Sequence, residues 1–417
     1  MITVKTEIGE NGIRYTWDKR IGGLRGNSLW IEYDVDVSKT PRHLANLMFG
    51  LIVSDPMSWE NETMVFDELT QEGLSCLTSF LKMYHYSKGY GGHAHDYGEY
   101  FPEVRGSSFG TDKLVIMDER EDTGPVLCAN GLGKDGITIS SMTKELGFNM
   151  RCFFLAGQMT RKVMVDRWDT MNKYYRMRGI ESDVIRTNFF KIQGKVTGTY
   201  PYFFAIPLAF HYDSEAILAG ISIHQNKTLI GSWPPAFYSP GETSFSFNYT
   251  TKGSGIRFSS PNRPLSLYAV NKLLVERYRD SLKYQRSCTR GSPWCNKCPS
   301  CYRNHLWIMA CDIEAISIGA NPRRCEDKDF YWGKNVGAFG FSSNTALNAL
   351  KKLYGEPYES WIEEGHKTAI DLMWRGGDYE GILTDHFGVY DYDREDDGFG
   401  WSLKPTQWRE INAFFNL

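Results

Sequence analysis

Four cysteines within 14 residues constrain this chain more than any other feature of its sequence. Cys288, Cys295, Cys298 and Cys301 follow the spacing Cys-x6-Cys-x2-Cys-x2-Cys. Four closely spaced thiolates suit one tetrahedral Zn²⁺ ion, and four protein ligands leave no open position for a substrate. An iron–sulfur cluster and four unrelated buried thiols are the alternatives. We predict a structural zinc knuckle and a following helix at residues 286–320, because so short a segment buries little apolar surface without metal.

The composition is typical of a globular protein with two or three domains. The 417 residues are 41% hydrophobic and 23% charged, and the net charge of −3 argues against a broad nucleic-acid-binding surface. The first residues, MITVKTEIGE, lack the apolar core of a secretion signal, and no run of 18 apolar residues could span a bilayer. Nine cysteines without a signal peptide indicate a reducing compartment. We therefore expect a cytoplasmic protein with no membrane partner, and leave homo-oligomerisation open. The cysteines outside the run are expected to be apolar core residues: Cys76, Cys128, Cys152, Cys311 and Cys325.

The hydrophobic pattern divides the chain into four segments. Residues 1–120 alternate in polarity up to about residue 37, as short antiparallel strands do, and then change to helical spacing from Pro41 to about Tyr90. Residues 121–285 mix buried strands and helices and predict an α/β domain with a parallel sheet. After the knuckle at 286–320, residues 321–417 predict a helical extension.

A glycine-rich segment in the second of these regions is the strongest signal for chemistry. PVLCAN at 125–130 predicts a buried strand, GLGKDG at 131–136 a turn, and ITISSMTKEL a helix that ends at Gly147. RCFFL at 151–155 predicts the next strand. Such a turn places backbone N–H groups at a helix N-terminus, where the helix dipole favours phosphate. A turn that serves packing alone is the alternative, since neither the Walker pattern nor the dinucleotide fingerprint is present.

The side chains of the turn suit a nucleotide and its metal. Gly131 and Gly133 leave room for a phosphate to approach, Lys134 adds a positive charge, and Asp135 is a ligand suited to Mg²⁺. Together the loop and the cysteine run resemble the PP-loop ATP pyrophosphatases, over about residues 120–320. The similarity is greatest to the zinc-bearing branch that includes 7-cyano-7-deazaguanine synthase and the UDP-N-acetylmuramoyl-L-alanyl-L-glutamate epimerase. The resemblance implies a HUP-type parallel-sheet core, ATP and Mg²⁺ as cofactors, Lys134 and Asp135 as catalytic residues, and a nucleotide-binding set of Asn130, Gly131, Leu132, Gly133, Lys134, Asp135 and Gly136.

Two positions depart from the Ser-Gly-Gly-x-Asp-Ser-like pattern of that family. Gly136 replaces the closing serine, which removes a hydroxyl contact worth on the order of 1 to 3 kcal/mol if its partner stays unsatisfied. Leu132 replaces the central glycine and is expected to need a backbone angle compatible with a Cβ atom. Both changes leave open a protein with weak activity or none.

Substrate-facing residues are predicted further along the chain, after the loop. PYFFAIPLAFHY at 201–212 predicts a helix, and AILAGISIH at 216–224 a buried parallel strand with a polar end. Ligands bind beyond the carboxyl ends of such strands, which favours Ser222, His224 and Asn226. An ordinary capped strand end is the alternative. The resemblance adds Tyr200, in a turn similar to one in the epimerase group, and Arg303, close to an arginine that follows the last cysteine of the deazaguanine enzymes.

These features predict an enzyme that uses ATP to adenylate a small-molecule or peptide-like carboxylate with release of pyrophosphate. The resemblance implies either epimerisation next to the activated carbonyl or capture by ammonia to give an amide or nitrile, and the long front section favours the epimerase-like outcome. An inactive zinc-containing binding or scaffold protein is the alternative from another class. A nucleic-acid-modifying PP-loop protein is the third, and the acidic net charge argues against it.

Overall fold

The computed structural model describes residues 1–57, 62–88, 103–106, 124–145, 147–156, 161–193, 201–214, 216–220, 250–259, 270, 271, 273–286 and 308. Within them the chain forms one mixed, mostly parallel sheet of ten strands with helices, an α/β architecture that agrees with the predicted class. The strands are β1 Ile2–Gly9, β2 Gly12–Trp17, β3 Ser28–Glu32, β4 Met64–Phe66, β5 Val104–Gly106, β6 Val126–Ala129, β7 Met150–Ala156, β8 Glu181–Thr187, β9 Ala216–Leu218 and β10 Arg257–Ser259.

One half of the sheet is parallel and has the order β10-β9-β6-β7-β8. Cys128 of β6 is in register with Cys152 of β7 and with Leu218 of β9. The other half joins β8 through the antiparallel strand β3 and continues as β2 and β1, with β4 and β5 parallel at the far edge. The strands of the first segment and of the parallel region therefore belong to the same sheet.

Helices pack on both faces of the sheet. They are α1 Arg42–Met57, α2 Gln71–Lys88, α3 Lys134–Glu145, α4 Arg161–Arg178, α5 Phe189–Ile192 and α6 Ile206–His211, with 3-10 helices at Pro201–Ala205 and Arg279–Tyr284 and a π-helix at Leu273–Arg277. Successive strand residues face opposite sides. On β6, Leu127 joins a core shared with α1, α2 and α6, whereas Val126 and Cys128 join a second core with α3, α4 and the π-helix.

Several local predictions are confirmed. Residues 125–155 form strand β6, a turn, helix α3 and strand β7, and Gly147 ends the helix with a φ of +81°. Its amide and that of Phe148 bond back to carbonyls of the last helical turn, as expected for a left-handed C-terminal cap. The helix predicted at 201–212 is a 3-10 turn followed by α6.

Other predictions fall partly or wholly outside the described residues. The strand predicted at 216–224 begins at Ala216 and is parallel, but β9 ends at Leu218, and residues after Gly220 lie outside the described part. The cysteine run and the extension at 321–417 also lie outside it. No helix of the described residues combines the length and the apolar character needed to cross a bilayer.

Candidate functional site

The glycine-rich loop lies where the order of the parallel strands reverses. The chain passes from β6 to β7 on one side, whereas β9 pairs with β6 on the other side. Both neighbours are parallel to β6, so their carboxyl ends meet at one edge of the sheet. Crevices at such reversal points are where α/β sheets bind ligands. The structure therefore places residues 130–136 at the edge of the sheet where the strand order reverses.

Asn130 anchors the loop through both ends of its amide. Its Oδ1 accepts a hydrogen bond from the Leu132 N–H at 2.8 Å, and its Nδ2 donates to Ser140 Oγ at 2.9 Å. Tyr175 on α4 donates its hydroxyl to the Asn130 carbonyl at 2.7 Å. Asn130 is 1% exposed, so these bonds satisfy polar atoms that burial has removed from water. The side chain thus shapes the loop from inside the protein.

Leu132 has a left-handed backbone, a conformation that glycine adopts more easily than leucine. Its φ is +60°, in the left-handed region, so the expectation of a backbone angle suited to a Cβ atom is wrong. Left-handed backbone costs a residue with a side chain about 1–2 kcal/mol. The Leu132 side chain is fully buried in the core under α3 and α4, and burial of a leucine contributes about 1.5–3 kcal/mol. The two terms are of similar size, so packing sustains the strained turn.

Gly133 and Gly136 meet opposite surroundings. Among the described residues, no atom would lie within 4 Å of a Cβ atom built at Gly133, so none of them closes this side of the loop. A Cβ atom at Gly136 would lie 2.9 Å from Asn130 Oδ1 and 3.1 Å from the Ala129 carbonyl oxygen. Gly136 therefore lets the first turn of α3 approach the end of β6. A side chain at this position would require Asn130 or the backbone around it to shift.

Lys134 and Asp135 form an ion pair at the start of α3. The exposed fractions of their side chains are 10% and 22%. Burial of a charge is costly without a partner, and each side chain supplies one for the other. Asp135 also packs against the end of β9, because a Cβ atom at Gly220 would lie 2.6 Å from Asp135 Cβ. An ammonium group and a carboxylate thus stand beside the N-terminus of a helix, where both a phosphate and a hard cation find suitable groups.

Two arginines hold the outer side of the loop. Arg286 donates its backbone N–H to the Leu132 carbonyl at 2.7 Å. Arg167 on α4 donates to the Gly131 carbonyl at 3.4 Å and to the Arg286 carbonyl at 2.8 Å. Arg286 Nη2 reaches Thr170 Oγ1 at 3.1 Å. The loop is therefore fixed from α3, from α4 and from the segment that precedes the cysteine run.

Three of the five cysteines outside the run are core residues, as predicted, and the other two, Cys311 and Cys325, lie outside the described residues. Cys128 and Cys152 are fully buried, and Cys76 is 1% exposed. Burial raises the pKa of Cys128 to about 12 and also raises the pKa of Cys152 and Cys76. These thiols stay protonated at neutral pH, whereas the thiolate is the reactive form. Their burial and protonation are those of core packing residues.

The remaining predicted site residues lie outside the described residues. In this group are the substrate-side set of Tyr200, Ser222, His224, Asn226 and Arg303, and the zinc set of Cys288, Cys295, Cys298 and Cys301. In the part of the chain that the structure describes, no group of three or more His, Cys, Asp or Glu side chains is placed to hold a metal ion. The zinc knuckle and the substrate side stay predictions.

The residues that support the loop were not predicted from the sequence. Arg167, Tyr175 and Arg286 are 36 to 154 positions from their partners in the loop, and no local pattern marks them. Gly220 could have been found, because a glycine after a predicted buried strand indicates a close approach of backbone or ligand. The roles of Arg167 and Arg286 could be recognised only from the fold, because they depend on which segments meet at the edge of the sheet.

A concave surface lies away from this site. A cavity of about 800 Å³ opens on the outer face of β1, β2 and β3, and Glu7, Arg14, Trp30 and Glu32 line it. Arg186 at its edge pairs with Asp34 at 2.5 Å. None of the loop residues borders this cavity, so it does not form part of the candidate site.

Comparison with models of protein families finds no match for this chain. Comparison with curated proteins finds none with significant similarity. The function is therefore inferred from the loop, from its place at the reversal of strand order and from the sequence pattern.

Proposed function

We propose that residues 130–136 bind the phosphates of Mg²⁺-ATP, and that the protein adenylates a carboxylate in the manner of a PP-loop ATP pyrophosphatase. The observation that carries the proposal is the position of the loop. Numbered from β6 along the chain, the parallel half has the order 3-2-1-4-5, and the loop follows strand 1, where this order reverses. In doubly wound sheets the first strand–helix turn is the phosphate-binding turn.

The charged pair at the start of α3 supports the same reading. In the protein alone, Lys134 and Asp135 neutralise each other. With nucleotide and metal, Lys134 would turn to the phosphate oxygens and Asp135 would take Mg²⁺, since hard cations prefer carboxylate oxygens. Gly133 leaves space beside both groups. The residues present therefore fit a nucleotide phosphate with its cation.

In the proposed reaction, a carboxylate oxygen of the substrate attacks the α-phosphorus of ATP. The bond from this phosphorus to the bridging oxygen of the β-phosphate breaks, and pyrophosphate leaves with the electron pair. Lys134 and the amides of the loop would stabilise the charge that develops on the leaving group. The acyl adenylate is then either epimerised, by loss and return of a proton next to the carbonyl, or captured by ammonia to give an amide or a nitrile. A small-molecule or peptide-like acid is the substrate class, and the zinc knuckle would serve structure.

One observation favours a second candidate, a nucleotide-loop protein without catalytic activity. Leu132 is buried in a strained conformation, and Gly136 has no room for the serine hydroxyl of the family pattern. The loop therefore lacks one contact that could hold phosphate or magnesium. Such a protein would bind ATP and act as a binding or scaffold module.

Two lysines on the same helix provide a matched test. Lys134 begins α3, and Lys144, which donates to the Gly179 carbonyl, lies ten positions later, about 15 Å along the helix. We expect Lys134→Ala to weaken ATP binding about 10- to 100-fold, as loss of a charged hydrogen bond does. Lys144→Ala should bind ATP like the wild type. Equal affinities of the two variants would contradict the assignment of the loop.

Pyrophosphate release separates the enzyme from the binding protein. The wild type is incubated with ATP, Mg²⁺ and a panel of carboxylates, and Asp135→Ala is measured beside it. If the protein is an enzyme, the release of pyrophosphate depends on one of the acids and is lost in Asp135→Ala, although this variant still folds. ATP binding without release under any condition favours the binding protein, and full activity of Asp135→Ala refutes the proposed role of this loop.

A further inference from the structure

Two successive carbonyl groups of the loop are held from outside it. The Leu132 carbonyl accepts the Arg286 N–H at 2.7 Å, and the Gly131 carbonyl accepts a longer bond of 3.4 Å from Arg167. Both donors lie on the side of α4 and of residues 285–286. The carbonyl oxygens of the turn are thus drawn to one side, which an anion-binding turn requires because carbonyl oxygens repel phosphate.

The bond to Arg286 also fixes an amide. In a trans peptide the C=O and the following N–H point in opposite directions. When the Leu132 carbonyl points at Arg286, the N–H of Gly133 therefore points away from it. No atom of the described part of the chain lies within 4 Å of a Cβ atom built at Gly133. A hydrogen bond to the carbonyl further polarises the N–H of the same peptide and makes it a better donor.

Helix α4 in turn holds Arg286 from two directions. Arg167, which is 6% exposed, donates to the Arg286 carbonyl at 2.8 Å. Thr170, one turn further along α4, accepts from the Arg286 guanidinium at 3.1 Å. The Arg167 guanidinium is buried and bound to fixed acceptors, so it has little freedom to move. The Arg286 peptide that it holds therefore keeps its orientation. We call Arg167, Thr170 and Arg286 the loop brace.

We propose that the loop brace is a positioning device that aims the Gly133 N–H at the bound phosphate. The inference rests on the proposed function and adds residues to it that touch neither nucleotide nor substrate. It locates the control of phosphate affinity in a backbone N–H of residue 286. Thus a change of backbone at this position should affect binding more than a change of side chain.

Substitution of Arg286 by proline and by alanine separates the role of its backbone N–H from the role of its side chain. Arg286→Pro removes the N–H that binds Leu132, and the preceding Gln285 already has the angles φ −60° and ψ 132° that a residue before proline adopts. Arg286→Ala keeps the N–H and removes the guanidinium. Arg277→Ala, which removes an ion pair with Glu145 at the far end of α3, is the control. The dissociation constants for Mg²⁺-ATP and for inorganic pyrophosphate are measured by titration calorimetry, and folding by urea unfolding.

We expect Arg286→Pro to bind both ligands about 10- to 100-fold more weakly, Arg286→Ala to lose clearly less, and Arg277→Ala to bind as the wild type does. Equal affinities of Arg286→Pro and wild type overturn the brace, and so does an equal loss in the proline and alanine variants. If Arg286→Pro does not fold, Arg167→Ala and Arg167→Lys decide. If the brace positions the loop, Arg167→Ala binds both ligands more weakly at an unchanged urea midpoint, and Arg167→Lys recovers part of the affinity. Wild-type affinity of Arg167→Ala overturns the brace. A wild type that binds neither ligand refutes the proposed function itself.

Discussion

Gly136→Ser tests the packing at the start of α3 because it introduces the serine of the PP-loop pattern that this loop resembles. If the pattern alone decided function, the added hydroxyl would improve phosphate or magnesium binding. The structure leads to the opposite expectation. The new Cβ atom would lie 2.9 Å from Asn130 Oδ1, 3.0 Å from Asn130 Cα and 3.1 Å from the Ala129 carbonyl oxygen. Two of these three atoms belong to the backbone and cannot rotate away.

The expected loss of stability follows from three contributions. Overpacking in a closely packed region costs about 1–3 kcal/mol. Displacement of the Asn130 side chain removes its bond to the Leu132 N–H, worth about 0.5–1.5 kcal/mol. Serine regains up to about 0.5 kcal/mol as a better helix former than glycine. The net result is a loss of about 1–4 kcal/mol, and a loss of 2 kcal/mol lowers the urea midpoint by about 0.7 M for a slope of about 3 kcal/mol per molar.

Gly133→Ser is the matched control, three positions earlier. Its side chain would enter empty space at the N-cap of α3, where serine is a favoured residue. Urea unfolding should therefore show a lower midpoint for Gly136→Ser and an unchanged or slightly higher midpoint for Gly133→Ser. ATP titration should show weaker binding for Gly133→Ser, since its side chain takes the space of the phosphate. A Gly136→Ser protein with the wild-type midpoint and faster pyrophosphate release would refute this reasoning.

Three further predictions concern the loop, the far end of α3 and the cysteine run. Leu132→Gly should be more stable than Leu132→Ala in urea, the reverse of the usual order, because both lose the buried side chain but only glycine relieves the left-handed backbone; the ordinary order would contradict the strain. Although burial acts to raise it, hydrogen bonds from Arg277 and Tyr278 hold the pKa of Glu145 below its ordinary value of 4.5. The stabilising contribution of the Glu145 carboxylate is thus present at neutral pH and lost as the pH falls below about 4.5, so urea midpoints of wild type and Glu145→Gln should differ at pH 7 and converge in acid; a constant difference would disprove this. By elemental analysis, Cys298→Ser should contain one zinc ion per chain fewer than the wild type, whereas a serine variant of a cysteine outside the run should keep its zinc. Full zinc content in both variants would contradict the predicted zinc knuckle.

Local sequence patterns were sufficient to predict the strand–turn–helix unit that contains the loop. The apolar run at 125–130, the glycines after it and the periodicity of 137–146 predicted β6, the turn and α3, because each of these signals acts over a few neighbouring residues. The C-terminal cap at Gly147 was predictable for the same reason. The extent of β9 was not, because the end of a strand depends on pairing with neighbours that the sequence does not name.

The sequence by itself determined that residues 130–136 form a glycine-rich turn before a helix, with a lysine and a carboxylate at its start. Only the tertiary structure decided where that turn lies in the sheet, which glycine faces open space and which is closed by packing. It also decided that Leu132 keeps a left-handed backbone, and that Arg286 holds the Leu132 carbonyl from more than 150 positions away. These properties come from contacts between distant segments, and contacts of this kind leave no periodic or local trace along a single chain.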